Sequence, residues 1–438
     1  MAVELATVLI YLSVMLFSAR VGGEISSRLG QLPVVGELIA GVLLGPFVAG
    51  NISRAITGTE LFINMNSAAG EVVTVFGDIG IILLLFLAGI SIDVEDFRRS
   101  GKPATIIAIA GVVVSFIFGY GVAAVLGWGT VDAAFLGAIL TATSVGLTVR
   151  CLVDAGGLYT PVGVAIMEAA VIDDILGIVV LSVLAGVVSG SLSFLGLSET
   201  VALMAVFLAL VLVLGFRVLP KVMRFFDRFR VEEAVLSIVL VIVFLISALA
   251  QVVRLAAVTG AFLAGLVMSR LPVARSIRSK VAEIGYGLFI PLFFVEMGVR
   301  MDLGELAGIG ILAGFVIIAA AFLSKIVGCG GGALIGGFSP KDSLRIGAGM
   351  VPRAEVALVI AAMGARWGVV GHALLSVTVL IVLVTSLLTP FIVRRLFRPE
   401  VGEVRPDGGN SSRVIPGLRA GGSRENSYCP EDVVLLSP

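Results

Sequence analysis

Histidine and cysteine are almost absent from this sequence. The chain of 438 residues has one histidine and three cysteines. His372 lies between two late apolar segments, so a cluster of buried histidines cannot serve as a pH sensor. Cys151, Cys329 and Cys429 are far apart, and their spacing predicts neither a disulfide framework nor a metal site. The sequence also lacks a nucleotide-binding loop, a nucleophile elbow and a metal-binding motif, so nothing in it indicates an enzyme or a bound cofactor.

Charged residues are scarce as well. They make up 14% of the chain, and hydrophobic residues make up 58%, with a mean hydropathy of +1.14. Soluble domains average about 25% charged residues, so this composition indicates a membrane protein. The net charge is zero, which gives no reason to expect nucleic acid as a partner. The first apolar run starts at Val3 without a basic segment or a cleavage site, so we interpret it as a retained membrane span.

Long apolar segments follow one another along almost the whole chain. At about 20 residues per crossing, they predict an all-α polytopic membrane protein with about 13 transmembrane helices. The predicted spans are residues 4–24, 33–50, 72–92, 103–127, 132–154, 160–189, 197–219, 232–252, 255–270, 284–301, 306–336, 342–366 and 369–396.

The basic residues of the connecting segments fall mostly on one side of the predicted membrane. With the N-terminus outside, the outer side receives only Arg54, Arg254, Arg300 and Arg366. The other side receives most of the remaining arginines and lysines, so it is predicted to be cytoplasmic. Residues 399–438 are rich in Gly, Pro and Ser and are predicted to form a disordered cytoplasmic tail.

Three ionisable residues interrupt the apolar spans near their middle. Asp173 and Asp174 are adjacent in span six, and Lys325 lies in span eleven. An ionised residue at the bilayer centre costs about 3 kcal/mol even on the mildest scale, so such residues usually have a function. Burial favours the protonated form of a carboxylate, and a second carboxylate beside it adds to this effect. A carboxylate of this kind can hold a proton or a monovalent cation, and the competition couples the two flows.

Two spans also contain residues that break helices. Span five contains the polar cluster Thr141 to Thr148, and span twelve contains Gly347, Gly349 and Pro352. Irregular backbone at membrane depth is tolerated where it lines a cavity or is packed in protein. The two spans are seven apart and therefore run in opposite directions. This arrangement is typical of an inverted-repeat transporter with its site at the midplane.

Several motifs together resemble one family. They are LPVVGELIAGVLLGP from Leu32, DIGIILLLFLAGISID from Asp78, TATSVGLTVR, VIDDILG, TGAFLAGLVMS, IPLFFVEMGVRMDL, SKIVGCGGGALIG and MVPRAEVALVIA. In this order they resemble the monovalent cation:proton antiporter-2 family, and within it the NapA-type sodium/proton antiporters. The resemblance covers nearly all of residues 1–398.

The resemblance implies an antiporter fold in which two broken helices cross. It implies a core domain at about 103–189 and 306–396, and a dimerisation domain at about 4–92 and 232–301, within a homodimer in the cell membrane. The implied function is electrogenic exchange of Na⁺, with Li⁺ as a second candidate ion, for H⁺ by alternating access. Sodium ions, protons and membrane lipid are the expected partners.

The resemblance also implies roles for individual residues. Asp174 would be the ion-binding carboxylate, and Asp173 would form a buried pair with Lys325, contributing to the ion site or only tying two spans together. Thr143 and Ser144 would add neutral oxygen ligands, as hard cations prefer oxygen donors.

The sequence gives weaker support for a functional role of the other charged residues within the spans. Glu168 points away from the double-Asp face, since a helix turns about 100° per residue, and is expected to pair with Arg353 or to lie in the cytoplasmic funnel. Glu355 and Arg353 fit a local ion pair or capping role as well as an ion path. Solvated or capping roles are expected for Glu37 and Asp78. Glu296 is unexpected for the family, and either a contact across the dimer or an effect on pH response would fit it.

Three alternative functions fit parts of the sequence. A potassium/proton antiporter is the nearest, although the double Asp with a lysine in span eleven favours sodium. A gated cation efflux channel is less favoured, because the short tail is too small for a regulatory domain. An organic-anion symporter would need neutral and amide residues at the crossing in place of bare acids.

Overall fold

A computed structural model describes residues 5–58, 62–92, 94–188, 194–226, 233–300 and 310–397. These residues form α-helices and two short π-helical turns, with no β-strand in the described ranges. The predicted all-helical class is therefore confirmed. The segment 399–438, predicted to be a disordered tail, lies outside the described residues.

The helices follow the predicted spans, several of which consist of two shorter helices. In chain order they are α1 (Leu5–Arg28), α2 (Pro33–Leu44), α3 (Asn51–Thr57), α4 (Ala68–Ser91), α5 (Val94–Val125), α6 (Thr130–Thr141), α7 (Val145–Asp154), α8 (Pro161–Val188), α9 (Phe194–Phe226), α10 (Ala234–Val252), α11 (Ala257–Met268), α12 (Ala274–Ile284), α13 (Ile290–Val299), α14 (Ile311–Ile335), α15 (Pro340–Gly349), α16 (Glu355–Arg366) and α17 (His372–Phe397). The π-helical turns, Pro46–Gly50 and Gly285–Phe289, join α2 to α3 and α12 to α13.

Counted by length and composition, the membrane spans are fewer than the sequence predicted. Ten helical segments in the described ranges are long and apolar enough to cross a membrane, or eleven if the bent pair α2–α3 counts as one. The count of 13 is not confirmed for two reasons. Helix α11 has only 12 residues, and span twelve is divided into the short helices α15 and α16.

Packing divides the helices into two groups. Helices α5 to α8 and α14 to α17 pack mainly on one another, and we call them the crossing bundle. Helices α1, α2, α4, α10, α11 and α13 pack mainly on one another, and with α9 and α12 we call them the flanking bundle. Helices α2, α4, α8 and α17 are among those that make contacts between the bundles.

Glycines allow α5 and α14 to approach closely beside Lys325. A Cβ atom at Gly328 would lie 2.9 Å from the carbonyl oxygen of Ala110, and one at Gly332 would lie 2.9 Å from the Cα of Ile107. Both distances are too short for a side chain. Gly111 faces the same contact, where a Cβ would collide with Cys329 and lie 3.8 Å from Lys325 Nζ. The glycines therefore permit the close packing of α5 against α14 next to Lys325.

Candidate ion-binding site

Two broken helices meet in the crossing bundle. Helix α6 stops at Thr141 and α7 starts at Val145, and α15 stops at Gly349 before α16 starts at Glu355. Backbone groups of one break bind the other directly, because Ser144 N–H donates to the Pro352 carbonyl at 2.7 Å. The broken segments predicted from the sequence are therefore present, and they contact each other.

Side-chain hydroxyls add to the contact between the breaks. Thr148 Oγ1 donates to the Gly349 carbonyl at 2.9 Å, and Thr143 Oγ1 lies 3.5 Å from the Met350 carbonyl. Ser144 caps α7 by accepting from Leu147 N–H at 3.5 Å. Thr143 and Ser144, predicted as ion ligands, are thus buried at the crossing, where they bond to backbone. Helices α6 and α7, which flank them, both pack against α8.

Arg353 binds a carbonyl at the end of α6 and a carbonyl within the second break. Its guanidinium is fully buried and donates to the Leu140 carbonyl at 2.9 Å, to the Val351 carbonyl at 2.5 Å and to Ser324 Oγ at 3.3 Å. The C-terminal end of a helix carries a partial negative charge. The position of the guanidinium therefore compensates the C-terminal end of α6, and the same group satisfies a carbonyl of the second break.

Asp173 and Lys325 form a buried ion pair between α8 and α14. Lys325 Nζ lies 3.2 Å from both carboxylate oxygens of Asp173. The lysine is fully buried, and 3% of the aspartate side chain is exposed. Each charge at this depth depends on the other for compensation.

Asp174 lies next to this pair but faces a different neighbour. It is half-buried at the midpoint of the 28-residue helix α8. Its Oδ2 accepts a hydrogen bond of 2.8 Å from Thr259 Oγ1, which belongs to α11 of the flanking bundle. Thr259 is a site residue that sequence reasoning missed, although it lies within the TGAFLAGLVMS motif. A single threonine in an apolar helix gives no signal of its own.

Glu168 does not pair with Arg353, contrary to one of our expectations. Both of its carboxylate oxygens are buried without a hydrogen-bond partner, and the donors of Arg353 that are paired bind two carbonyls and a serine. The carbonyls of the broken helices and Ser324 take the paired donors of Arg353 instead, and the alternative location of Glu168 in the cytoplasmic funnel stays a prediction. The side chain of Glu355 lies outside the described part of the structure.

A cluster of charges joins the two bundles at one end of the molecule. Arg150 on α7 lies 3.4 Å from Glu37 on α2 and 3.0 Å from Asp154 on its own helix. The guanidinium also lies over the ring of Tyr286, 5.1 Å from its centroid. Glu37 is buried, so the expected solvated role is wrong; its counter-charge lies 113 residues away in the sequence.

A cavity of about 210 Å³ lies between the bundles toward the opposite end. Its lining comprises Thr74, Asp78, Phe293, Glu296, Met297 and Arg300 of the flanking bundle and Ala354, Leu358, Val379 and Val382 of the crossing bundle. Because Ala354 belongs to the second break, the cavity reaches the crossing. Glu296 accepts a hydrogen bond of 2.8 Å from Arg300, one turn away on the chain, and Arg300 also donates to Thr74 at 2.7 Å.

Comparison with known proteins identifies the family of this chain. The family model for the transmembrane sodium/hydrogen exchanger matches residues 13–398. The chain belongs to the sodium/hydrogen exchanger family. This membership identifies the apolar helices as those of an integral membrane transporter, and it confirms the resemblance to monovalent cation:proton antiporters.

Relatives of this exchanger are similar over most of their length. The Na⁺/H⁺-K⁺ antiporter GerN of Bacillus cereus is 33% identical over 88% of this chain and 95% of its own. The high-affinity Na⁺/H⁺ antiporter NhaS3 of Synechocystis is 31% identical over 92% of both chains. The structure of the sodium proton antiporter MjNhaP1 from Methanocaldococcus jannaschii matches with a TM-score of 0.64 at 20% identity, covering 92% of this chain and all of that one. This last match establishes the fold of the exchanger.

Proposed function

We propose that this protein is a secondary transporter that exchanges Na⁺ for H⁺ at Asp174. The observation that carries the proposal is a carboxylate at the centre of α8, beside a fully buried Asp173–Lys325 pair. Lys325 is the buried counter-charge of Asp173, and we assign the exchanged proton or cation to the neighbouring carboxylate, Asp174. The names of the relatives GerN and NhaS3 agree with sodium and proton as the exchanged ions.

Alternating access fits the difference between the two ends of the bundle interface. At one end, Arg150 and Glu37 bridge the bundles with buried charges. At the other end, the cavity extends to Ala354 in the second break. The cavity reaches the crossing at Ala354, and we place the approach to the site at this end, opposite the buried charges of Arg150 and Glu37. Under the topology predicted from the basic residues, the cavity end faces outward.

Orientation, assembly and electrogenicity complete the proposal. The excess of basic residues in one set of loops supports an N-terminus outside and a cytoplasmic C-terminus. The family resemblance supports a homodimer. The buried Lys325 supports electrogenic exchange, since a lysine that loses its proton or its partner during the cycle changes the charge carried per ion.

Exchange in liposomes tests the role of Asp174. We expect Asp174→Asn to abolish Na⁺-driven proton movement and to leave the protein folded, because an amide cannot alternate between a proton and a cation. Asp132→Asn, the same chemical change in the first turn of α6, serves as the matched control and should retain exchange. Near-normal Na⁺/H⁺ exchange by Asp174→Asn would refute the assignment.

Exchange with K⁺ is measured separately in the same experiment, because the name of the relative GerN includes K⁺. Li⁺ and K⁺ are each tested in place of Na⁺ under an imposed pH gradient. Exchange with K⁺ as fast as with Na⁺ would replace the sodium assignment with a general monovalent-cation exchanger.

A further inference from the structure

The hydroxyl of Thr259 reaches the proposed ion-binding carboxylate from outside the crossing bundle. Thr259 is 2% exposed, and its Oγ1 donates to Asp174 Oδ2 at 2.8 Å. The other contacts at the crossing join Ser144, Thr148 and Arg353 to carbonyls within the crossing bundle. The Thr259 contact is different because it joins Asp174 to the flanking bundle.

The short length of α11 explains how a flanking helix reaches this depth. Its 12 residues extend for about 18 Å at 1.5 Å per residue, whereas the apolar core of a bilayer is about 30 Å thick. One end of α11 therefore lies inside the membrane. Thr259 is in the first turn of α11, and it meets Asp174 at the midpoint of α8.

A threonine hydroxyl suits both states of a cation-binding carboxylate. With its proton it donates to the carboxylate, which is the contact that Thr259 makes with Asp174. After rotation about its C–O bond, it offers a lone pair to a cation on the same carboxylate. Valine has nearly the same shape but can do neither, whereas serine can do both.

We propose that Thr259 positions Asp174 and supplies a neutral oxygen to the transported cation in one of the two access states only. This inference rests on the proposed exchange function at Asp174. If the two bundles move relative to each other during transport, the ligands within the crossing bundle stay with Asp174, and Thr259 does not. Thr259 thereby makes the Na⁺ affinity different on the two sides of the membrane.

The test is a comparison of Thr259→Val, Thr259→Ser and wild type in oriented liposomes, with Na⁺ supplied from one side at a time. We expect Thr259→Val to raise the half-saturating Na⁺ concentration about tenfold on the side of the cavity at Ala354, equivalent to about 1.4 kcal/mol. On the other side the change should stay within about twofold, and the maximum rate should be close to that of wild type. Thr259→Ser should restore both values.

Thr378→Val is the matched control, because the buried Thr378 hydroxyl donates to the Leu374 carbonyl of its own helix at 2.7 Å. Should Thr259→Val fold poorly, Thr259→Ala and the stabilisation of the purified protein by Na⁺ during heating report binding without transport. An unchanged half-saturating Na⁺ concentration on both sides would overturn the proposal, and so would an equal increase on both sides. If wild type shows no Na⁺/H⁺ exchange, the proposed function itself fails, which separates the two conclusions.

Discussion

Replacing Lys325 by glutamine tests what the buried ion pair contributes. The change leaves Asp173 with 3% of its side chain exposed and without its cation at 3.2 Å. Removing one partner of a buried pair costs about 3–5 kcal/mol, mainly because the remaining charge is uncompensated. At about 2.1 cal/mol/K of unfolding entropy per residue, a chain of 438 residues loses about 1 °C of unfolding temperature per kcal/mol, so we expect a decrease of about 3–5 °C.

The double variant separates the stranded charge from the loss of the lysine itself. Adding Asp173→Asn to Lys325→Gln makes both ends of the pair neutral, so most of the unfolding temperature should be recovered. Lys341→Gln, at an exposed position in the first turn of α15, is the control and should change the temperature little. A Lys325→Gln protein as stable as wild type would refute the reasoning about the buried charge.

Voltage dependence decides whether the pair also takes part in transport. Each net charge moved across 100 mV is worth about 2.3 kcal/mol, so an electrogenic exchanger responds strongly to a membrane potential. Exchange is measured in liposomes with and without a potassium–valinomycin potential. We expect the wild type to respond and the double variant to respond weakly. Equal responses would make Lys325 a structural partner only, and no response in the wild type would refute electrogenic exchange.

Two more predictions concern the bundle interface and the topology. Arg150→Met should lower the unfolding temperature in detergent, because Glu37 and Asp154 lose their shared buried cation. Adding Glu37→Gln to Arg150→Met should recover part of the lost unfolding temperature. An unchanged unfolding temperature in Arg150→Met would contradict the stabilising role of Arg150. In a background without native cysteines, single cysteines within residues 50–70 should react with impermeant reagents from outside and those within 272–282 only from inside, whereas the reverse labelling would invert the proposed orientation.

The sequence was most informative where polar residues interrupt apolar segments. Pro352 and the cluster around Ser144 indicated the two breaks, because proline removes a backbone donor and small polar side chains bond to exposed backbone. Asp173 and Lys325 were recognisable as candidate site residues because they are charged residues within apolar segments. Such residues are rare in apolar segments, so each one carries information about membrane depth and function.

Contacts between distant segments were not predictable in this way. Most threonines in these helices bond to their own backbone, as Thr378 and Thr385 do, and Thr259 looks the same in sequence. Its partner Asp174 is 85 residues away and on another bundle. The burial of Glu37 was missed for a similar reason, since only the fold brings Arg150 to it.

The contact between the two breaks has a consequence for the order of biosynthesis. Thr148 and Thr143 bond to carbonyls that are 201 and 207 residues later in the chain, and the Leu140 carbonyl accepts from Arg353, 213 residues later. When only the first half of the chain has been synthesised, the carbonyls of Gly349 and Met350 and the guanidinium of Arg353 do not yet exist. The first broken helix therefore enters the membrane with polar backbone groups that lack their final partners. The contacts between the two breaks are therefore completed only after residues 349–353 have been synthesised and inserted.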